Sequence, residues 1–159
     1  MEEILEILEK NARASIEEIA LMLGKSVEEV KEIIKKLEDD NVIVGYNTLI
    51  NWDKSNKESV VALIEVRVTP QRGLGFDKVA ERIYRYPQVK ACYLMSGGFD
   101  LTVIVEGKTM KEVASFVAEK LAPIESVVST ATHFVLKKYK EEGVIFEEDT
   151  KDDREALIL

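Results

Sequence analysis

The sequence predicts an α+β chain in two parts, an N-terminal winged helix-turn-helix followed by a ferredoxin-like βαββαβ domain. Residues Ser15 to Tyr46, SIEEIALMLGKSVEEVKEIIKKLEDDNVIVGY, hold two capped helical patterns split by a glycine and followed at once by a strand pattern. Beyond Ser59 the apolar periodicity changes and spells strand, helix, strand, strand, helix, strand.

The elements follow in chain order. Glu2 to Lys10 reads as an acidic helix. Ser15 and Glu18 stand in capping-box spacing ahead of Ile16, Ile19, Ala20 and Leu23, which share one helical face, and Gly24 ends that helix. Ser26 and Glu29 form a second box. The helix they open places Val27, Val30, Ile34 and Leu37 on a buried stripe and leaves Lys31, Glu32, Lys35 and Lys36 in water. A turn this short makes the two helices cross steeply, as in modules that put the second helix into the DNA major groove. The candidate DNA-facing residues are Lys25, Ser26, Glu28, Lys31, Glu32, Lys35 and Lys36. A helical pair used only for packing has the same pattern, so a non-DNA-binding sensor or assembly module is the alternative reading. Val42 to Tyr46 is expected as the wing strand.

Ile50 to Ser59, INWDKSNKES, is polar and lacks a consistent period. The expected division is a DNA-binding domain over 1–50, a linker over 51–59, a ferredoxin-like domain over 60–140 and an acidic tail over 141–159. Within the second domain the strands are expected at Ser59–Thr69, Val89–Met95, Leu101–Val105 and Val127–Lys138, with helices at Phe76–Tyr86 and Met110–Leu121. Each helix carries one apolar stripe, so each covers one face of a sheet. The strands are apolar on both faces. Val60, Ala62, Ile64, Val66 and Val68 line one side of the first strand, while Val61 and Leu63, with Leu94 and Ile104 from the middle strands, are assigned to the other. A second copy of the sheet would cover that other side by isologous pairing, so these four residues form the expected dimer interface.

The net charge of −8 is unevenly placed. Residues 1–50 carry 6 Lys/Arg against 12 Asp/Glu, and residues 60–140 carry 12 against 8. The DNA-binding half is thus the acidic half, and it must use a local lysine patch or several copies acting together. Glu28, Glu29 and Glu32 repel phosphate near the helix end that meets base edges. No apolar run reaches the length of a membrane span, and Met1 leads directly into the acidic helix, so a cytoplasmic protein without membrane contact is expected. Cys92 stands alone inside an apolar strand, which marks it as a small hydrophobe and excludes a disulfide within the chain.

Enzyme chemistry finds little footing. His133 is the single histidine, so no zinc site and no catalytic dyad appears at recognisable spacing, and no metal or cofactor is expected. Gly73-Leu74-Gly75 precedes a helix, but Lys78 occupies the third glycine's place, so the dinucleotide fingerprint fails. Gly97-Gly98 with Asp100 fits two readings. It is either a tight hairpin whose carboxylate satisfies turn amides, or a small-molecule site with exposed N–H groups beside a carboxylate.

Three stretches together resemble the Lrp/AsnC, or feast/famine, regulators. LGKSVEEVKEIIKKLEDDNVIVGY is similar to that family's recognition helix and wing. VKACYLMSGGFDLTVIV is similar to its Gly-x-x-Asp hairpin at Gly97 and Asp100, and VVSTATHFVLKKYK to its last strand with Thr132 at the threonine position. The chain departs at Glu32 and Ile33, where similar proteins commonly carry arginine. The resemblance implies homodimers joined through the ferredoxin-like domains, often assembled as tetramers or octamers. It also implies binding of double-stranded DNA by paired helix-turn-helix units and sensing of amino acids at subunit interfaces. An amino acid needs an acceptor for its ammonium and donors for its carboxylate. Asp100 supplies the acceptor, Gly97, Gly98 and Phe99 present backbone amides, and Thr130 and Thr132 add hydroxyls.

Overall fold

The computed structural model describes residues 1–69 and 75–146. Gly73, Leu74 and the apolar end of the tail lie outside the described residues. The chain divides into two compact units, Met1–Ile50 and Asn51–Leu159.

The first unit holds α1 (Glu2–Lys10), α2 (Ile16–Leu23) and α3 (Val27–Asp39). Ile4, Ile19, Ala20 and Val30 form its buried centre, with Ile16, Leu23, Ile33 and Ile34 packed around them. The capping box at Ser15 is complete: Oγ of Ser15 accepts from the Glu18 N–H at 3.1 Å, and the Glu18 carboxylate accepts from the Ser15 N–H at 2.8 Å. Gly24 ends α2 at φ +62, a left-handed conformation that glycine adopts without strain. The second box is half made. Ser26 Oγ accepts from the Glu29 N–H at 3.1 Å, but the Glu29 carboxylate turns to the Lys25 ammonium four residues back.

No wing strand forms over Val42 to Tyr46. Asn41 takes a positive φ of 55, the Val42 and Ile43 N–H groups both donate to the Leu37 carbonyl, and Val44 stands 89% exposed. The alternating pattern is present, but a single extended segment has no ladder to join until another strand lies beside it. Tyr46 is tied back to α3, its hydroxyl donating to Glu38 at 2.8 Å.

The second unit holds β1 (Val60–Val68), α4 (Asp77–Tyr84), β2 (Val89–Leu94), β3 (Leu101–Gly107), α5 (Met110–Phe116) and β4 (Val127–Phe134), in the βαββαβ order. The strands form one antiparallel sheet in the order β2-β3-β1-β4. α4 and α5 cover one face. Val79, Ile83, Val113 and Phe116 from the helices meet Ala62, Ile64, Val66, Leu101, Val103 and Val105 from the strands in one core. The α5 helix passes into a π turn over Val117–Leu121, and β4 stops at Phe134. A small hairpin follows, β5 (Lys140–Glu141) with β6 (Val144–Ile145), where solvated tail was expected. Its turn residues Glu142 and Gly143 both take positive φ, the conformation that matches strand twist in a two-residue turn.

Register places side chains on faces. Leu63 lies opposite both Ile104 and His133, so these three point away from the helices along with Val61. Leu94 is opposite Leu101, a core residue, so Leu94 belongs to the helix-covered side at its exposed edge. The irregular register between Val89 and Ala91 shifts the alternation of β2 and puts Ala91 opposite Ile104. Tyr93, not Leu94, is the β2 side chain that stands beside Ala91 on the open face.

Replacing Ser26 by Ala is expected to lower the stability of the first unit by about 1 kcal/mol, the usual worth of an N-cap. Glu29→Gln, which alters only a surface ion pair, is expected to cost far less. Urea denaturation of both variants checks the pair, and equal losses would mean that the reciprocal half of the box does form.

Candidate functional site

The recognition helix α3 buries Val30 and Leu37 and half-buries Ile33 and Ile34, leaving the opposite arc in water. On that arc Glu28, Lys31, Glu32, Lys35 and Lys36 are all exposed. A pitch of 3.6 residues per turn sets Lys31 and Lys35 along one flank, Lys36 along the other, and Glu28 and Glu32 between them. Ser26 is spent as the cap and Lys25 is held by Glu29, so the lysines of the helix itself carry the positive charge available to a phosphate backbone. The carboxylates lie in the middle, where base edges would be read.

The hairpin between β2 and β3 is built around Asp100. Its Oδ2 accepts from the Val68 N–H at 2.7 Å, its own N–H donates to the Val66 carbonyl at 3.0 Å, and its carbonyl accepts from the Met95 N–H at 2.8 Å. The carboxylate therefore serves as a strand-to-strand brace beyond the regular β1–β3 ladder, whatever else it does. Gly97 takes φ +121, which side-chain-bearing residues rarely adopt, and a Cβ at either Gly97 or Gly98 would meet nothing within 4 Å. The loop is open around its glycines.

Thr130 and Thr132 lie opposite Val66 and Ile64 on the helix-covered side of β4. Leu101, next to Asp100, lies opposite Val66 on the other flank of β1. Within one chain, β1 separates the threonines from the hairpin.

The open face is half apolar. Val61, Leu63 and Ile104 are partly exposed there, and the Glu65 carboxylate lies 3.4 Å from Nε2 of His133 among them. Among the described residues no group of three His, Cys, Asp or Glu side chains gathers as a metal site. Cys92 is partly buried against the core, and that burial pushes its thiol pKa up, away from reactivity.

One cluster escaped the sequence reading. Lys57, in the expected linker, sits 4.1 Å from the centre of the Trp52 ring and donates to Glu106 on β3 at 3.1 Å, while Lys90 approaches the same carboxylate at 3.9 Å. Partial burial raises the Glu106 pKa, but the Lys57 hydrogen bond and the two ammonium charges outweigh it and hold the carboxyl below its ordinary value. Residues 51–59 are therefore fastened to the second unit. The signal was the aromatic-to-lysine spacing in NWDKSNK, but nothing local points to a partner on β3.

Residues 2–44 match the winged helix-turn-helix DNA-binding model, and residues 61–145 match the model of the Lrp/AsnC ligand binding domain. The chain belongs to the Lrp/AsnC family. It is 55% identical over 158 residues to the HTH-type transcriptional regulator YugG of Bacillus subtilis, spanning 99% of this chain and 94% of that one. It is 31% identical over 137 residues to the HTH-type transcriptional regulator LrpA of Pyrococcus horikoshii, spanning 86% and 94%. A transcriptional regulator of Neisseria meningitidis, solved in complex with L-Met, shares the fold with a TM-score of 0.71 at 24% identity, over 87% of this chain and 89% of that one. This Lrp/AsnC protein is a DNA-binding transcriptional regulator, not an enzyme, and the packing-only reading of its helix-turn-helix is not favoured. No helix among the described residues is long and apolar enough to cross a membrane.

The brace at Asp100 gives a stability prediction. Asp100→Ala strands the Val68 N–H and should cost about 1–3 kcal/mol, whereas Asp100→Asn keeps a neutral acceptor and should cost less. Chemical denaturation separates the two, and an Ala variant as stable as the parent would show that the bond contributes nothing.

Proposed function

We propose that this regulator works in the cytoplasm as a homodimer, or a larger even-numbered assembly, that docks paired α3 helices in the DNA major groove. Its second unit answers to an amino acid bound at the hairpin. The observation that carries the DNA half is the arc of α3: exposed, with lysines on both flanks and no packing role among the described residues. Lys31, Lys35 and Lys36 contact phosphate, while Glu28 and Glu32 sit over the bases, where a carboxylate accepts from a cytosine amino group.

The open sheet face supports the dimer. Val61, Leu63 and Ile104, joined by Tyr93, make a self-facing patch that a second copy would cover, with Glu65 and His133 satisfying each other as it closes. The exposed segment 42–50 gains a strand partner in the same assembly. Gly97, Gly98, Phe99 and Asp100 of one copy, with Thr130 and Thr132 of another, form the amino-acid site. The Neisseria relative named for its L-Met complex supports that ligand class here. In this arrangement Asp100 both braces β1 and faces the ammonium, using different lone pairs.

Each lysine should behave as a phosphate contact. Lys31→Ala, Lys35→Ala or Lys36→Ala should weaken binding about equally on all sequences and flatten the salt slope by about one unit. Glu32→Gln should tighten non-specific binding by removing a repulsive charge. Fluorescence anisotropy with the promoter region of the regulator's own gene, read at two salt concentrations, tests this. Identical affinities for the parent and all four variants would end the docking model.

Leu63→Asp should place an unpaired carboxylate in the closed face and convert the assembly to monomer. Light scattering that found an unchanged mass for a folded Leu63→Asp protein would rule out this interface.

A further inference from the structure

β3 runs away from the 95–100 hairpin, so its last residue, Gly107, stands about 20 Å from Leu101 at roughly 3.3 Å per residue. At that far end a cleft of about 460 Å³ opens between Gln88 and α5, floored by Val105, Val113 and Phe116. A neighbouring hollow of about 290 Å³ shares Gln88, Glu106, Gly107 and Glu112 with it and extends to Lys57 and Lys90. The larger cleft alone falls within the size range of small-molecule sites, roughly 300–1,000 Å³. Gly107 keeps the floor tight, since a Cβ there would come within 3.0 Å of the Val113 side chain.

The lining has a definite chemistry. Gln88 Oε1 is buried without a hydrogen-bond partner, and a buried carbonyl oxygen calls for an N–H donor. Lys111 and Lys120 line the same cleft and form no ion pair among the described residues, so they offer donors to an anion. Glu112 is engaged, accepting from the Lys108 N–H at 2.7 Å, and Glu119 adds a second acceptor at the rim. A simple anion would leave Gln88 unmet, and a simple amine would make no use of the two lysines. A molecule with an ammonium and a carboxylate on one carbon meets both, and the Val and Phe floor takes an apolar side chain.

The cleft also touches the linker. Glu106 lines it and at the same time holds Lys57, which lies over Trp52 seven residues beyond the end of the DNA-binding unit. We propose that this cleft is a second effector site, taking an apolar amino acid as its zwitterion, and that occupancy reaches the linker through Glu106 and Lys57. The site is separate from the hairpin and does not depend on the hairpin binding anything.

Trp52 is the single tryptophan and lies against Lys57, so its emission reports on the end of the domain where Lys57 meets Glu106. The test titrates the full chain with L-methionine, L-leucine, L-valine and L-phenylalanine, with sodium acetate at matched concentration as the carboxylate-only control. At least one of the four should change Trp52 emission saturably while acetate does not. The same change should persist in Asp100→Asn, and both Gln88→Leu and Lys111→Ala should raise the midpoint tenfold or more. Gln88→Leu removes an unmet polar atom and Lys111 is exposed, so both variants should fold. The proposal is overturned by no saturable change with any of the four, by acetate reproducing it, or by either cleft variant keeping the parental midpoint. Loss of the signal in Asp100→Asn also overturns it, because the response would then come from the hairpin.

Discussion

A four-stranded sheet that is apolar on both faces, with α4 and α5 both packed on the same one, is the constraint from which the rest of this molecule follows. α4 and α5 bury Ala62, Ile64, Val66, Leu101, Val103 and Val105, and leave only the edge at Leu94 open on that side. On the other side Val61, Leu63 and Ile104 remain half in water, beside Glu65 and His133. Apolar area of this kind is stabilised by leaving water, and in the proposed dimer a second copy of the same face covers it. The exposed Val42 and Val44 have the same unmet need in backbone form, since an extended segment without a neighbour leaves its N–H and C=O groups to solvent.

Assembly bears directly on DNA binding because of charge. The unit carrying α3 has twice as many acidic as basic residues. Three exposed lysines flanking two glutamates give one copy only a modest electrostatic hold on phosphate. In the proposed dimer, pairing would double the lysine contacts and make the second contact intramolecular, which multiplies affinity without a new side chain. In the proposed docking the central carboxylates would act as a filter, lowering affinity for every sequence and recovering it only where an amino group meets them.

The fold was legible where local rules and burial agree. Ser15 with Glu18, the left-handed Gly24 and the βαββαβ order follow from residue type and spacing alone. The misreadings have particular causes. Alternation counted from Val89 puts Leu94 on the open face, and the irregular step between Val89 and Ala91 shifts that alternation, something no period-two reading detects. Val42–Tyr46 has a strand's composition, but strandedness is a property of a pair. The β5–β6 hairpin hides inside a charged run because its turn uses Glu142-Gly143, not the Asn-Gly or Asp-Gly that announces such turns. Of the candidate site, the lysine arc of α3 could be read from periodicity. The bond from Asp100 to Val68 and the Lys57–Glu106 anchor could not, since their partners lie 32 and 49 residues apart in sequence.

The central claim is that DNA is held by copies acting in pairs, joined through the open sheet face. Native mass spectrometry of the full chain on a duplex from the promoter region of its own gene measures this directly, by counting chains per duplex as protein is added. The account predicts even numbers throughout, beginning at two, with no singly occupied duplex at any ratio. A stable complex of one chain on one duplex would contradict it.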